Sequence, residues 1–268
     1  MSNVFTNTPG ERVDLPDPNV AMTGVTMGSS SFKILGSIMQ SLVMELKQGE
    51  TVYTETGALS WMSDGVNMET NMGSGGLGGM FKRALGGSSL FIVNYTATKP
   101  NTTLAFSSEF PGKIIPVNLA QGQSMIAQKD AFMVAEKNVN LTIAFQRKLG
   151  TGLFGGEGFI LEKFEGPGTF FVAMDGEVVE YTLGAGERLK VDTGHVAMFE
   201  PTVKYDIEIV KGFSNILFGG EGLFFAVLTG PGRVWLQTMP MAKLAGAIKQ
   251  YFPVAQGEKQ GLNINLGS

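Results

Sequence analysis

Aligned on itself, the chain shows the feature that most restricts what it can fold into. The stretch Gln121 to Gly158 lies without gaps on the stretch Ala185 to Gly222 at a constant offset of 64 residues, carrying Gly122 onto Gly186 and Gly158 onto Gly222. Within it, Leu153 to Gly158 (LFGGEG) repeats letter for letter as Leu217 to Gly222, and beyond it Gly166-Pro167-Gly168 falls on Gly230-Pro231-Gly232. A third, more diverged copy lies upstream. There Gly49-Glu50 and Thr56-Gly57 correspond to Gly186-Glu187 and Thr193-Gly194, and the extra residues sit in the glycine-rich insertion Asn71 to Gly79. Copied units bury their apolar faces against one another, so the repeat predicts one object of three similar lobes. Arg233 to Met239 reads as the first strand of a would-be fourth unit.

The punctuation between the copies predicts the class of structure. Short β-favouring stretches such as Thr169–Met174, Val178–Leu183 and Lys204–Val210 alternate or run apolar, and each is bounded by Gly, Pro, Asp or Asn. Paired Gly-Glu and Thr-Gly steps bracket strands of about six residues, as tight turns at positive φ require. The expectation is an all-β fold of three tandem β-sandwich or double-stranded β-helix-like repeats around a pseudo-threefold axis, with a short C-terminal helix. Closure about that axis would cover the strand edges that an open array leaves unpaired. The boundaries read as a flexible leader over 1–31, one β-domain over 32–240 with repeats near 32–109, 110–173 and 174–240, and a helix and tail over 241–268. The helix is predicted from Met241 to Phe252, where Leu244, Ile248 and Tyr251 share a face behind Pro240 and Pro253 stops the run.

Composition removes several functional classes. With no cysteine there is no disulfide scaffold, and 43% hydrophobic against 16% charged residues argues against disorder. A net charge of −4 argues against general nucleic-acid binding, which needs a cationic surplus. The longest clean apolar run, Leu223 to Leu228, is far too short to cross a bilayer, and the first residues lack the basic and apolar regions of a secretory signal. The expected location is cytoplasmic, with a peripheral membrane association compatible with the sequence.

Apparent catalytic motifs weaken under the alignment. Gly73-x-Gly75-x-x-Gly78 and Gly150-x-Gly152-x-x-Gly155 match a dinucleotide fingerprint by letter, yet neither leads from a strand into a helix as pyrophosphate binding requires. His195 is the only histidine and aligns with Ala131 and Ala58, so its expected role is structural. One histidine and no cysteine disfavour zinc, and no EF-hand loop is present; no cofactor or metal is expected. Glu157 and Glu221 form the most tempting carboxylate pair, the equipment of a glycoside hydrolase or sugar-binding protein. Their equivalence under the repeat supplies a simpler origin, a copied turn.

A different set stands out. Leu77, Met80, Phe81, Leu153, Phe154, Leu217 and Phe218 lie in glycine-rich turns rather than strand bodies, with Lys82-Arg83, Arg147-Lys148 and Lys211 nearby. They form either an internal plug or an apolar rim with basic neighbours, suited to a protein partner or an anionic membrane surface. The candidate interaction surface is therefore Leu77, Met80, Phe81, Lys82, Arg83, Leu153, Phe154, Leu217 and Phe218. The leading functional expectation is a non-enzymatic scaffold acting through such contacts, and an oligomer is compatible with it.

Several blocks together carry a family resemblance: Phe32–Gly36, Val43–Glu50, Tyr53–Ser63, the glycine-rich run through Lys82–Phe91, Phe110–Pro116 and the two Phe-Gly-Gly-Glu-Gly copies. Over about 32 to 240 the chain resembles the AIM24-type family of mitochondrial-biogenesis proteins. That resemblance implies an all-β fold similar to the tryptophan RNA-binding attenuation protein, repeated along the chain. It also implies that mitochondrial relatives support inner-membrane organisation, whereas prokaryotic relatives have no established biochemical activity and the family has no agreed catalytic residues. The lack of a mitochondrial presequence favours a prokaryotic member. RNA binding would follow from fold analogy alone, against an acidic chain without a basic-aromatic array.

Overall fold

The computed structural model describes residues 13, 15, 22–55, 58–71, 92–147, 158–210, 223–249 and 251. Among them the chain forms twenty strands, two short 3-10 turns and one helix. An N-terminal hairpin of β1 (Met22–Val25) and β2 (Ser31–Leu35) precedes three units of six strands each. Unit one is β3 (Ser41–Leu46), β4 (Thr51–Glu55), β5 (Leu59–Met62), β6 (Val66–Asn71), β7 (Ile92–Ala97) and β8 (Thr102–Ser107). Unit two is β9 (Gly112–Leu119), β10 (Ser124–Gln128), β11 (Phe132–Glu136), β12 (Asn140–Arg147), β13 (Phe159–Glu165) and β14 (Gly168–Asp175). Unit three is β15 (Val178–Leu183), β16 (Arg188–Asp192), β17 (Val196–Phe199), β18 (Lys204–Val210), β19 (Leu223–Thr229) and β20 (Gly232–Gln237). The all-β repeat architecture predicted from the alignment is what the chain adopts. Arg233 to Gln237 belongs to β20, the sixth strand of unit three paired to that unit's own β15, and starts no fourth unit.

The units do not form separate sheets. Each splits its strands, placing the first, sixth and third in one sheet and the fourth, fifth and second in the next. The first sheet runs β1-β2-β3-β8-β5, the second β6-β7-β4-β11-β14-β9, the third β12-β13-β10-β17-β20-β15 and the fourth β16-β19-β18. Two seams join neighbouring units: β4 pairs with β11 through Tyr53↔Ala135 and Val52↔Glu136, and β10 pairs with β17 through Ile126↔Phe199 and Ala127↔Met198. A closed threefold ring would add a third seam between β16 and β5, and among the described residues that pairing is not made. Each of these strands is the last in its sheet.

Three cores lie between successive sheets. Leu42, Met44, Leu104 and Phe106 of the first sheet meet Val93, Tyr95 and Phe171 of the second. Phe170, Val172 and Tyr53 on the second sheet's other face meet Met125, Phe164 and Trp235 of the third. Phe159, Leu161 and Val234 on the third sheet's remaining face meet Ala226 and Leu228 of the fourth. This explains the sequence pattern: β14 is a continuous apolar run because both its faces are covered, whereas β2 alternates because one face meets solvent. Equivalent turns close each unit's first two strands. Gly49, Gly122 and Gly186 all sit at φ near +80°, and the side chains of Glu50, Gln123 and Glu187 each accept the N–H three residues back at 2.7–2.8 Å. Positive φ at the third turn position is what glycine supplies without strain.

The N-terminal segment read as a leader contributes more than a tether. Beyond strand β1, Val13 is buried in the middle core and its carbonyl accepts from the Arg233 guanidinium, while Gly28 N–H donates to Glu136 Oε1 at 2.8 Å. At the other end, α1 (Met241–Lys249) starts beside the second 3-10 turn, with Lys243 Nζ 3.0 Å from Asp192 Oδ2. The helix is shorter than its apolar pattern, and that pattern faces outward after Leu244, with Ile248 exposed and Tyr251 82% exposed.

Candidate functional site

The fourth and fifth strands of every unit form a hairpin, and the three hairpins carry the three glycine-rich insertions. Their last described pairs are Asn71↔Ile92, Arg147↔Phe159 and Val210↔Leu223. The insertions themselves, with all nine candidate contact residues Leu77, Met80, Phe81, Lys82, Arg83, Leu153, Phe154, Leu217 and Phe218, lie outside the described residues. So do Glu157, Glu221 and the two dinucleotide-like glycine runs. What the structure supplies is their stems. These are topologically identical, at the same end of the same hairpin, in the second, third and fourth sheets. The outer strands of the stems expose Met68, Glu69, Gln146, Arg147 and Asp206.

His195 lies in the second 3-10 turn, where its Nδ1 is 2.7 Å from the Gln237 carbonyl oxygen. Gln237 Nε2 in turn donates to the Gly194 carbonyl at 2.8 Å. These bonds fasten the turn to β20 and occupy the imidazole nitrogen that faces the protein.

The chemistry that the alignment did not single out is inside. Glu162 on β13 is 0% exposed, with the Glu55 carboxyl beside it. Burial pushes its carboxyl well above the usual range, and the neighbouring Glu55 charge pushes it further. Lys129 Nζ stands 3.7 Å from Glu55 Oε2 and partly offsets this. Burial, with Glu162 beside it, also raises the Tyr53 phenol, whose O–H donates to the Val139 carbonyl at 2.9 Å. The arrangement favours the neutral form of this carboxyl in the wall of the middle core. Register places Glu162, opposite Ala127, where unit one has Val93 opposite Thr54 and unit three has Ala226 opposite Val191. A carboxylate among apolar copies was the available sequence signal.

On the surface, a cleft of about 200 Å³ beside the first seam is lined by Ser30, Glu50, Thr51, Glu136, Lys137 and others. Its carboxylates are engaged: Glu50 accepts from Ser30 Oγ and Lys47 N–H, and Glu136 from Gly28 and Thr169 N–H. Exposed apolar side chains include Trp61, Met62 and Met68 on β5 and β6, 49%, 43% and 48% exposed, and Leu35, Ile38 and Met39 around the β2–β3 turn, 50%, 67% and 51% exposed. Trp61 and Met62 do not stand out in the sequence because β5 has the same apolar pattern as its buried counterparts.

The model of the family described as mitochondrial biogenesis AIM24 matches residues 32–239, which spans all three units. The chain belongs to the AIM24 family. An uncharacterised protein of Streptococcus pyogenes serotype M6 is 27% identical over 220 residues, covering 79% of this chain and 86% of its own. The crystal structure of a protein from Streptococcus pyogenes superimposes with a TM-score of 0.67 at 23% identity, over 82% of this chain and 99% of that one. The AIM24 fold therefore holds across this divergence. Among the described residues no helix is long and apolar enough to cross a membrane, and no three His, Asp or Glu side chains converge to hold a metal.

Proposed function

We propose that this AIM24 protein is a non-enzymatic β-scaffold that works by contact in the cytoplasm, through its three glycine-rich loops, with a protein partner or the surface of an anionic membrane. The observation supporting this reading is positional. The loops spring from β6–β7, β12–β13 and β18–β19, the same hairpin in each unit. The apolar and basic residues of the three insertions are thus joined in sequence to equivalent stems, and a multivalent arrangement of this kind lets weak contacts add. The three cores are meanwhile filled by strand side chains, including Phe106, Phe159, Phe164, Phe170, Phe171, Phe199 and Trp235.

Co-sedimentation with phosphatidylserine-containing vesicles tests the membrane form. The wild type should pellet with these vesicles and less so with neutral ones, since lysine and arginine near a surface respond to its charge. A Phe81→Ser/Phe154→Ser/Phe218→Ser variant should keep its circular dichroism spectrum and stay in the supernatant. A wild type that ignores anionic vesicles rules out the membrane form and leaves the protein-contact form.

A further inference from the structure

The first strands of the three units are finished differently on the side away from their sixth-strand partner. Strand β3 has β2 there, with Phe32 and Ile34 of β2 opposite Met44 and Leu42. Strand β9 is the last of the second sheet, yet every residue in it except Lys113 is buried. Strand β15 is the last of the third sheet and pairs with β20 alone among the described residues. It lies open, with Val179 38% and Tyr181 45% exposed. These two stand opposite Leu236 and Val234, so they carry the face of the third core past the edge of its sheet. Glu180 is the only charged residue of the strand, and its carboxylate is turned back to β20, where it accepts the Trp235 indole N–H at 2.8 Å. Backbone N–H and C=O groups and two large apolar side chains are thus left without the charges that guard exposed edges.

We propose that β15 is the docking edge for a strand formed by Leu262–Leu266 of the same chain, which completes the third sheet as β2 completes the first. Residues 252–268 lie outside the described residues, and their sequence supplies the occupant. Leu262-Asn263-Ile264-Asn265-Leu266 alternates apolar and polar between Gly261 and Gly267, the signature of a half-buried strand. Strand β2 fills the side of β3 with the same alternation, Phe32 and Ile34 buried and Ser31, Lys33 and Leu35 exposed. Paired with β15, the two leucines and the isoleucine extend the face of Val179 and Tyr181, and the asparagines fall on the face of Glu180 and Thr182, where their amides find polar neighbours. Backbone hydrogen bonds hold an added strand, and its alternate side chains set the register.

The segment also has the reach. The chain leaves β20 for α1 directly beside the start of β15, with Gln237 opposite Val178 and the Thr238 N–H donating to the Glu177 carbonyl at 3.0 Å. Residues 252–261 can span roughly 33–36 Å when extended, against roughly 20 Å for the six residues of β15. All of this lies beyond residues 32–239, the part matched by the AIM24 model, so the strap is an addition of this chain to that fold.

Hydrogen–deuterium exchange read by mass spectrometry tests the proposal. In the full-length chain the β15 amides that point away from β20 should exchange about tenfold more slowly than in a chain ending at Gln260, because a paired edge must open before it exchanges. Full-length Ile264→Asp should lose the same protection. Peptides from β13 and β14 should be unchanged in all three proteins, which shows that the variants are folded. Protection in the full-length chain should persist on tenfold dilution, since a strand tethered to its edge does not depend on protein concentration. Equal exchange of β15 with and without residues 261–268 would overturn the proposal. Protection that vanishes on dilution would overturn it too, by assigning the edge to a second molecule.

Discussion

Asp175 ends β14 where the chain heads into unit three, and its half-buried carboxylate sits near the start of α1, accepting the Met241 N–H. Burial raises its pKa to about 6, helped by the charges of Asp130 and Glu109 and opposed by the Met241 bond. In the unfolded chain the group titrates near 3.8. Between those values the folded protein holds a proton that the unfolded chain has released, so stability falls as pH rises through this window. Asp175→Asn should therefore stabilise the protein above pH 6, by about 1–2 kcal/mol once solvent screening of the partly exposed group is allowed for. The gain should shrink toward zero near pH 4, and urea titrations at the two pH values measure it. A gain of the same size at both would show that charge is not the cause. Individual residues were legible in the sequence where backbone geometry chose them, as at Gly49, Gly122 and Gly186. They are harder to read where burial decides: the sealed Glu162 differs in the letters from the solvated Glu69 only through the apolar Val93 and Ala226 at its equivalent places in the other units.

Among elements, the Gly-Pro-Gly turns of units two and three show how closely the strands are fitted. Gly166 N–H donates to the Gln123 carbonyl, and Gly230 N–H to the Glu187 carbonyl, joining the last turn of each unit to its first. A Cβ on Gly166 would lie 2.4 Å from the Leu119 carbonyl oxygen, and one on Gly230 would lie 2.4 Å from that of Gly184. Neither neighbour is a flexible side chain that could swing aside. Gly166→Ala and Gly230→Ala should each cost about 2–3 kcal/mol through forced backbone shifts. Gly122→Ala, with open space around its Cβ, should cost only about 1 kcal/mol for positive φ. Denaturant midpoints separate the two cases, and equal losses would contradict the role of close approach. Unit one has Ala97 at this place and closes through a different turn with Asn101 at φ 57°. Strands and turns were readable because turn chemistry is local. The sixth strand's return to its own first strand is not legible, since that partner lies far back in the sequence, with Val178 opposite Gln237, and Arg233 to Met239 reads locally as the start of a new unit.

At the scale of the molecule, sharing of sheets between units has a thermodynamic consequence that three tandem copies alone would not. The second sheet belongs to units one and two, the third to units two and three, and each is buried on both sides. Losing one core therefore exposes a face of a sheet on which the next core depends. Repeat arrays with weak interfaces melt unit by unit, whereas strong interfaces enforce a single transition. The two tryptophans stand in units one and three, Trp61 on β5 and Trp235 on β20, so a Trp61→Phe background leaves Trp235 as the sole indole reporter of unit three. Into it, Leu104→Ala removes a fully buried side chain from the core of unit one, at a cost of about 2–5 kcal/mol. If the seams couple the units, the Trp235 fluorescence transition should move to lower denaturant together with the far-ultraviolet circular dichroism transition. A Trp235 midpoint that stays in place while the overall circular dichroism shifts would mean that unit three folds on its own, and that the β4–β11 and β10–β17 pairings are too narrow to transmit stability.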